Sequence, residues 1–127
     1  LLAFFLLGDF IGQGNSAKNS DLASISPEMK QTQEFYTSVI SRELKNLKAE
    51  NTPETETIIN DALLQMDKLE KRYGELKKDL VNSGKDNRVI YAMIQNFQQR
   101  IDLLNNVLSQ IENIKTLKNK NHENNII

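Results

Sequence analysis

The spacing of apolar residues in the second half of the chain most constrains its fold. Two stretches carry apolar residues at alternating intervals of three and four, which is the a/d pattern of helices that pack along a coiled-coil-like seam. The first stretch contributes Ile59, Ala62, Met66, Leu69, Tyr73, Leu76 and Leu80. The second contributes Ile90, Ile94, Phe97, Ile101, Leu104, Leu108 and Ile111. Because only a short loop separates the two stretches, they must fold back on each other as an antiparallel hairpin.

Helix start and stop signals set the boundaries. Residues 26–28 read SPE and residues 52–54 read TPE, so each site offers a hydroxyl cap, a proline at the first helical position and an acid near the positive end of the dipole. In NSGKD, residues 82–86, Gly84 suits a left-handed C-terminal cap and Asp86 can cap the next helix. These signals predict helices over residues 27–50, 53–82 and 87–118.

The third helix has an apolar face wider than a two-helix hairpin needs. Met93, Val107 and Ile114 flank its a positions, and this flank requires a third partner. The first helix can supply that partner through Met29, Tyr36, Val39, Ile40, Leu44 and Leu47. We therefore predict an all-α fold, an up-down-up antiparallel three-helix bundle over residues 26–118, with the first helix held less firmly than the hairpin. The alternative is an intermolecular coiled coil, which the short turn at residues 51–53 disfavours.

Composition disfavours several classes of function. The chain has 16 Lys and Arg against 17 Asp and Glu, a formal net charge of -1, so no global field draws it to nucleic acid. There is no Cys, which excludes disulfides and thiolate chemistry. The one His, His122, has no Glu or His partner at helical metal-binding spacing. We therefore expect no nucleic-acid partner, no metal site and no cofactor.

No set of residues indicates catalysis. Glu54 with Glu56, and Asp61 with Asp67, are the nearest candidates for paired carboxylates, but all four fall on polar helix faces with nothing apolar beside them to raise a pKa. The run KLEKRYGELKKDL looks basic, yet Asp67 with Lys71 and Lys71 with Glu75 are opposite charges four residues apart. We predict no catalytic residue, no cofactor-binding residue, and a protein that is not an enzyme.

The chain opens with an apolar run, LLAFFLL, and does not begin with Met. Seven residues are too few to span a membrane, so we expect residues 1–11 to be the end of a transmembrane segment whose start lies upstream. A cleaved signal peptide, or an apolar segment packed on the bundle, are the alternatives. Since no basic residue occurs before Lys18, the bundle should lie outside the cytoplasm. Residues 12–25 read as a flexible linker, and residues 119–127 as a disordered polar tail.

Residues 22–118, above all the segments SPEM, TPET and RVIYAMIQNFQQRIDLL, resemble the C-terminal part of small single-span bacterial proteins described as anti-sigma factors. The resemblance implies a protein anchored in the bacterial inner membrane by a single span. It also implies a cytoplasmic region before the span, absent here, that engages a sigma factor.

The bundle would then be a periplasmic sensor or interaction domain with an unknown extracytoplasmic partner, or one that associates with itself. The rival hypothesis is a structural or scaffolding coiled-coil protein of the cell envelope, with no sigma factor involved.

Overall fold

The computed structural model describes the backbone of residues 21–126 and the side chains of residues 21–121. A short 3-10 turn, Leu22–Ser24, precedes three α-helices: α1 (Pro27–Ala49), α2 (Glu56–Asn82) and α3 (Asn87–Ile126). The described residues contain no strand. The prediction of an all-α three-helix bundle is confirmed.

The start of α1 follows the predicted capping signal. The Ser26 side chain accepts a hydrogen bond of 3.1 Å from the backbone N–H of Met29, and Pro27 occupies the first helical position. The hydroxyl thereby satisfies one of the free amides at the helix start. The helix ends at Ala49, one residue before the predicted boundary.

The turn between α1 and α2 is longer than predicted, because α2 begins at Glu56 rather than at residue 53. Thr55 is 2% exposed and organises this turn. Its hydroxyl accepts a hydrogen bond of 2.8 Å from the N–H of Thr52 and donates one of 2.7 Å to the carbonyl of Glu50. These bonds hold residues 53–55 in a turn before the helix proper.

The turn between α2 and α3 uses the predicted residues and one more. Gly84 has φ 67°, and Lys85 has the same left-handed value. The N–H of Lys85 bonds to the carbonyl of Leu80 at 3.0 Å, which closes the end of α2. Asp86 then accepts a hydrogen bond of 2.8 Å from the N–H of Arg88 and caps α3.

Helix α3 packs against both other helices and forms the centre of the bundle. Its fully buried apolar residues are Met93, Phe97, Leu104, Val107 and Ile111. The predicted a positions Ile94, Ile101 and Leu108 are only partly buried, as is Ile90, the first residue of the d row. The buried face is thus centred on the d row and the flank that carries Met93 and Val107, because α3 lies in the groove between two helices rather than against one.

Two predictions at the ends of the bundle are wrong. Within the predicted linker 12–25, residues 21–25 pack on the bundle, and Leu22 is completely buried; residues 12–20 lie outside the described residues. The predicted disordered tail is a continuation of α3 to Ile126. No glycine or proline follows Leu117 to end the helix, and Asn, Lys and Glu are all tolerated in it.

None of the helices within residues 21–126 is long and apolar enough to cross a membrane. The predicted membrane or signal segment, residues 1–11, lies outside the described residues.

Candidate functional site

Of the residues considered as paired carboxylates, Glu56 and Asp61 are exposed, and Glu54 and Asp67 form ion pairs with lysines. Glu54 pairs with Lys118, Nζ to Oε1 2.9 Å, and that lysine holds the pKa of the Glu54 carboxyl below its usual value. Asp67 pairs with Lys71 at 2.9 Å, as predicted, whereas Glu75 pairs with Arg72 at 3.1 Å. Among the residues that the structure describes, no cluster of three or more His, Cys, Asp or Glu is placed to hold a metal ion.

The first feature that sequence reasoning missed is the segment formed by residues 21–25, here called the strap. Within the strap, the Leu22 side chain is completely buried, and Asp21 is 7% exposed. The strap is fixed to α1 by the N–H of Ala23, which donates to Oε1 of the buried Gln33 at 2.9 Å. The strap therefore belongs to the folded bundle.

The strap is also tied to α2. The Asp21 carboxylate lies 3.4 Å from Nζ of Lys77, and the N–H of Leu22 donates a long hydrogen bond of 3.5 Å to the Tyr73 hydroxyl. Burial raises the pKa of the Asp21 carboxyl, and the positive charge of Lys77 opposes this only in part. Burial also raises the pKa of the Tyr73 hydroxyl, with a further contribution from the negative charge of Asp21. The strap thus contacts both helices at the end where α1 begins.

The second missed feature is a cluster of aromatic rings around a buried arginine. Tyr36 of α1 stacks on Phe97 of α3, with ring centroids 5.6 Å apart and an interplanar angle of 10°. Tyr73 of α2 lies 4.9 Å from the same Phe97 ring. The Arg100 guanidinium carbon is 5.2 Å from the Phe97 centroid and 5.8 Å from that of Tyr73. All three helices therefore meet at this cluster.

Arg100 is 2% exposed, although arginine is almost never fully buried without a partner. Its Nε and Nη1 atoms have no hydrogen-bond acceptor among the described residues. Burial lowers the pKa of Arg100, while the negative charge of Glu70 and the Tyr73 hydroxyl oppose the shift. Because a guanidinium does not lose its proton in proteins, the core here holds a cation. The two π faces and the attraction of Glu70 offset part of the cost of removing that cation from water.

One residue beside this cluster adds a polar link between α2 and α3. Asn96, 2% exposed, donates from Nδ2 to the backbone carbonyl of Leu69 at 2.8 Å, and its Oδ1 has no hydrogen-bond partner among the described residues. Asn96 and Arg100 lie one turn apart on α3, so both place polar atoms on the same buried face of that helix.

The opposite end of the bundle is held by ion pairs. Lys115 of α3 lies 3.2 Å from Glu50, and Lys118 lies 2.9 Å from Glu54, so the end of α3 is joined to the turn between α1 and α2. Beyond Lys118, the last eight residues of α3 extend about 12 Å past this turn, at 1.5 Å per residue.

The sequence did contain a signal for Arg100. It lies seven residues after Met93 and seven before Val107, so it occupies the heptad position of the apolar flank that was predicted to need a third partner. Leu22 offers a weaker signal, because only Ala23 and Ile25 accompany it between polar residues.

Comparisons with protein-family models, with curated proteins and with solved structures give no significant match. The described residues thus offer two features for a functional proposal, a buried cation beside the Tyr73 and Phe97 rings and a docked strap.

Proposed function

We propose that this chain is the outer, helical part of a membrane-anchored regulatory protein of the anti-sigma type and that it has no enzymatic activity. Its bundle would lie in the periplasm and would bind an extracytoplasmic partner or a second copy of itself. A sigma factor would be engaged by a cytoplasmic region on the other side of the inner membrane. The resemblance of residues 22–118 to such proteins and the apolar run at residues 1–7 support this proposal.

The docked strap is the observation that carries the proposal. A regulator must transmit a change in its outer domain to its anchor, and a fully flexible linker would absorb that change. Because Leu22 is buried and Ala23 is hydrogen-bonded to Gln33, the fixed part of the bundle begins at residue 21. At most the short stretch before residue 21 would separate the bundle from an anchor in residues 1–11.

The position of the strap also supports an orientation. The strap and the turn at residues 83–86 lie at one end of the bundle, because α2 runs opposite to α1. An anchor that precedes the strap would bring this end towards the membrane. The turn at residues 50–55 and the end of α3 would point away from it.

Single-cysteine labelling tests the topology, since the chain has no cysteine of its own. Ser83→Cys and Asn51→Cys place one thiol on exposed residues at opposite ends of the bundle. In intact cells whose outer membrane has been made permeable, a maleimide that cannot cross the inner membrane should label both variants. Labelling only after lysis would contradict the periplasmic location. A lipid-bound spin probe should quench a fluorophore on residue 83 more strongly than one on residue 51.

A test of sigma-factor binding requires the full-length protein. A sigma factor should be recovered with the anchored protein and should be lost when the region before the span is deleted. If the full-length sequence has a cleaved signal peptide and no cytoplasmic region, the proposal of an anti-sigma-type regulator is wrong. The rival proposal, a scaffolding protein of the envelope, would then remain.

That rival, a scaffolding protein of the envelope, is favoured by two surface features. Helix α3 projects beyond the bundle, and Leu117, just before the projection, is 61% exposed. Sedimentation equilibrium of the 127-residue chain in detergent distinguishes the two. A concentration-independent monomer would argue against a scaffold built by self-association, and an obligate oligomer would support it.

A further inference from the structure

We infer that the strap is a latch, and that its undocking opens the core of the bundle at Arg100 before any other part of the bundle opens. The inference deepens the proposed function, on which its regulatory meaning rests. The docked strap holds the end where α1 begins closed, whereas the buried Arg100 favours its opening.

The first step is that the strap reaches the aromatic cluster through one residue. Its Leu22 N–H donates to the hydroxyl of Tyr73, and the ring of that same tyrosine lies over Arg100 and beside Phe97. Tyr73 therefore separates the strap from the buried guanidinium. When the strap leaves, the hydroxyl end of Tyr73 loses its cover and water gains a path to Arg100.

The second step is that α1 would loosen at the same place. Gln33 holds the strap through Ala23, and Tyr36, one turn further along α1, stacks on Phe97. Gln33 is 3% exposed, so its amide is covered in the docked state. When the strap undocks, Gln33 Oε1 loses the hydrogen bond from the Ala23 N–H. Water can then also reach the stacked rings of Tyr36 and Phe97.

The third step is that hydration of Arg100 favours the open state. Its Nε and Nη1 have no hydrogen-bond acceptor among the described residues, and a buried donor of a charged group without an acceptor costs free energy. Water supplies those acceptors once the end opens. Burial of Leu22 and the hydrogen bond from the Ala23 N–H to Gln33 favour the closed state. These groups therefore shift the equilibrium between the closed and open states in opposite directions.

The far half of the bundle, towards the turn at residues 50–55, has no buried charged residue among those that the structure describes. Ile59, Leu104 and Ile111 are all at most 3% exposed and carry no polar side-chain atoms. Opening there would expose apolar surface and would hydrate no buried charge. The bundle should therefore open from the strap end.

Arginine-specific labelling with phenylglyoxal tests the latch in the full 127-residue chain. The chain has four arginines, and Arg42, Arg72 and Arg88 have exposed side chains that serve as internal standards. Mass spectrometry gives the labelling rate at each site. In the unmodified chain, Arg100 should react far more slowly than the other three.

Leu22→Ala should raise the Arg100 labelling rate by about tenfold or more, with rates corrected for the globally unfolded fraction measured by circular dichroism. Leu64→Ala, at a leucine that is 62% exposed, is the control for the substitution itself and should leave Arg100 protected. Ile111→Ala, at a residue 1% exposed in the far half, controls for loss of core packing. It should raise the corrected rate much less than Leu22→Ala does.

Equal corrected rates for Leu22→Ala and Ile111→Ala would overturn the latch, because the bundle would then open as one unit. An unchanged rate for Leu22→Ala would also overturn it. If Leu22→Ala fails to fold, Gln33→Met removes the acceptor of the Ala23 N–H with little change in volume, and the same two outcomes apply. Since labelling is done on the isolated chain, its failure is independent of the membrane topology measured by cysteine labelling.

Discussion

Asn96 of α3 donates a hydrogen bond of 2.8 Å to the backbone carbonyl of Leu69, a residue of α2. This bond joins a side chain of one helix to the main chain of another inside the bundle. It favours the observed register of the two helices, because sliding one helix by part of a turn would move the carbonyl away from the buried amide.

Asn96→Ala should therefore lower the free energy of unfolding by about 1 to 2 kcal/mol. Urea denaturation followed by circular dichroism measures this change. Asn105→Ala is the matched control, because Asn105 is an exposed residue of the same helix, and it should change stability by less than about 0.5 kcal/mol. Equal effects of the two substitutions would show that the interhelical bond contributes nothing.

Phe97→Ala should lower the free energy of unfolding by about 3 to 5 kcal/mol. Phe97 is 2% exposed and contacts aromatic rings from both other helices, so its removal leaves a cavity at the point where the three helices meet. Thermal melting measures the loss.

Phe35→Ala is its control, since Phe35 is 63% exposed on α1. It should shift the melting temperature only slightly. A Phe97→Ala protein that melts like the unmodified chain would contradict the packing described for α3.

The two described glycines should respond to alanine in opposite directions. Gly74 lies within α2 and has open space where a Cβ would stand, so Gly74→Ala should stabilise the protein by about 0.5 to 1 kcal/mol through higher helix propensity. Gly84 also has open space, but its φ is +67°, so Gly84→Ala should cost about 1 kcal/mol of backbone strain. Chemical denaturation of both variants tests this, and changes of the same sign would refute the left-handed assignment at Gly84.

Asp21 should make the bundle more stable at mildly acidic than at neutral pH. Burial raises the pKa of its carboxyl above the unfolded value of about 4, so the folded state binds the proton more tightly. The cost of the buried charge is present at neutral pH and is relieved as the pH falls through the raised pKa. Lys77 and Tyr73 are the groups that face this carboxyl, and the attraction of Lys77 reduces the effect without reversing it.

Asp21→Asn should remove this component of the pH dependence while leaving the fold intact. The measurement is the unfolding free energy of both proteins between about pH 4 and pH 7. Asp102→Asn, at an exposed aspartate of α3, should leave the curve of the unmodified chain unchanged. A difference between the Asp21→Asn protein and the unmodified chain that is constant across this range would show that the carboxyl does not titrate there.

The sequence predicted the helices well because their signals are local. Ser26 and Asp86 cap helices through bonds to amides two or three residues away, and the d residues Phe97, Leu104 and Ile111 follow from spacing alone. The error at the C-terminus was also local in origin. A polar composition after Leu117 suggests disorder, but the residues there are compatible with a helix and none of them is glycine or proline.

The strap and the buried arginine depended on contacts that no local pattern encodes. The strap's partners Tyr73 and Lys77 lie 51 and more residues away in sequence, and the short run around Leu22 is too brief to show a periodicity. Arg100 lies in a recognisable heptad position, but whether that flank carries a charge into the core or out to water depends on packing against other helices, including the Tyr73 ring of α2.

Three helices, their caps and the apolar rows that join them follow from this sequence by itself, since each rests on residues within a few turns of one another. The docking of residues 21–25 and the burial of a cation against Tyr73 and Phe97 were decided only by the tertiary structure. The reason is that Leu22 and Arg100 find their partners only when the helices have packed together.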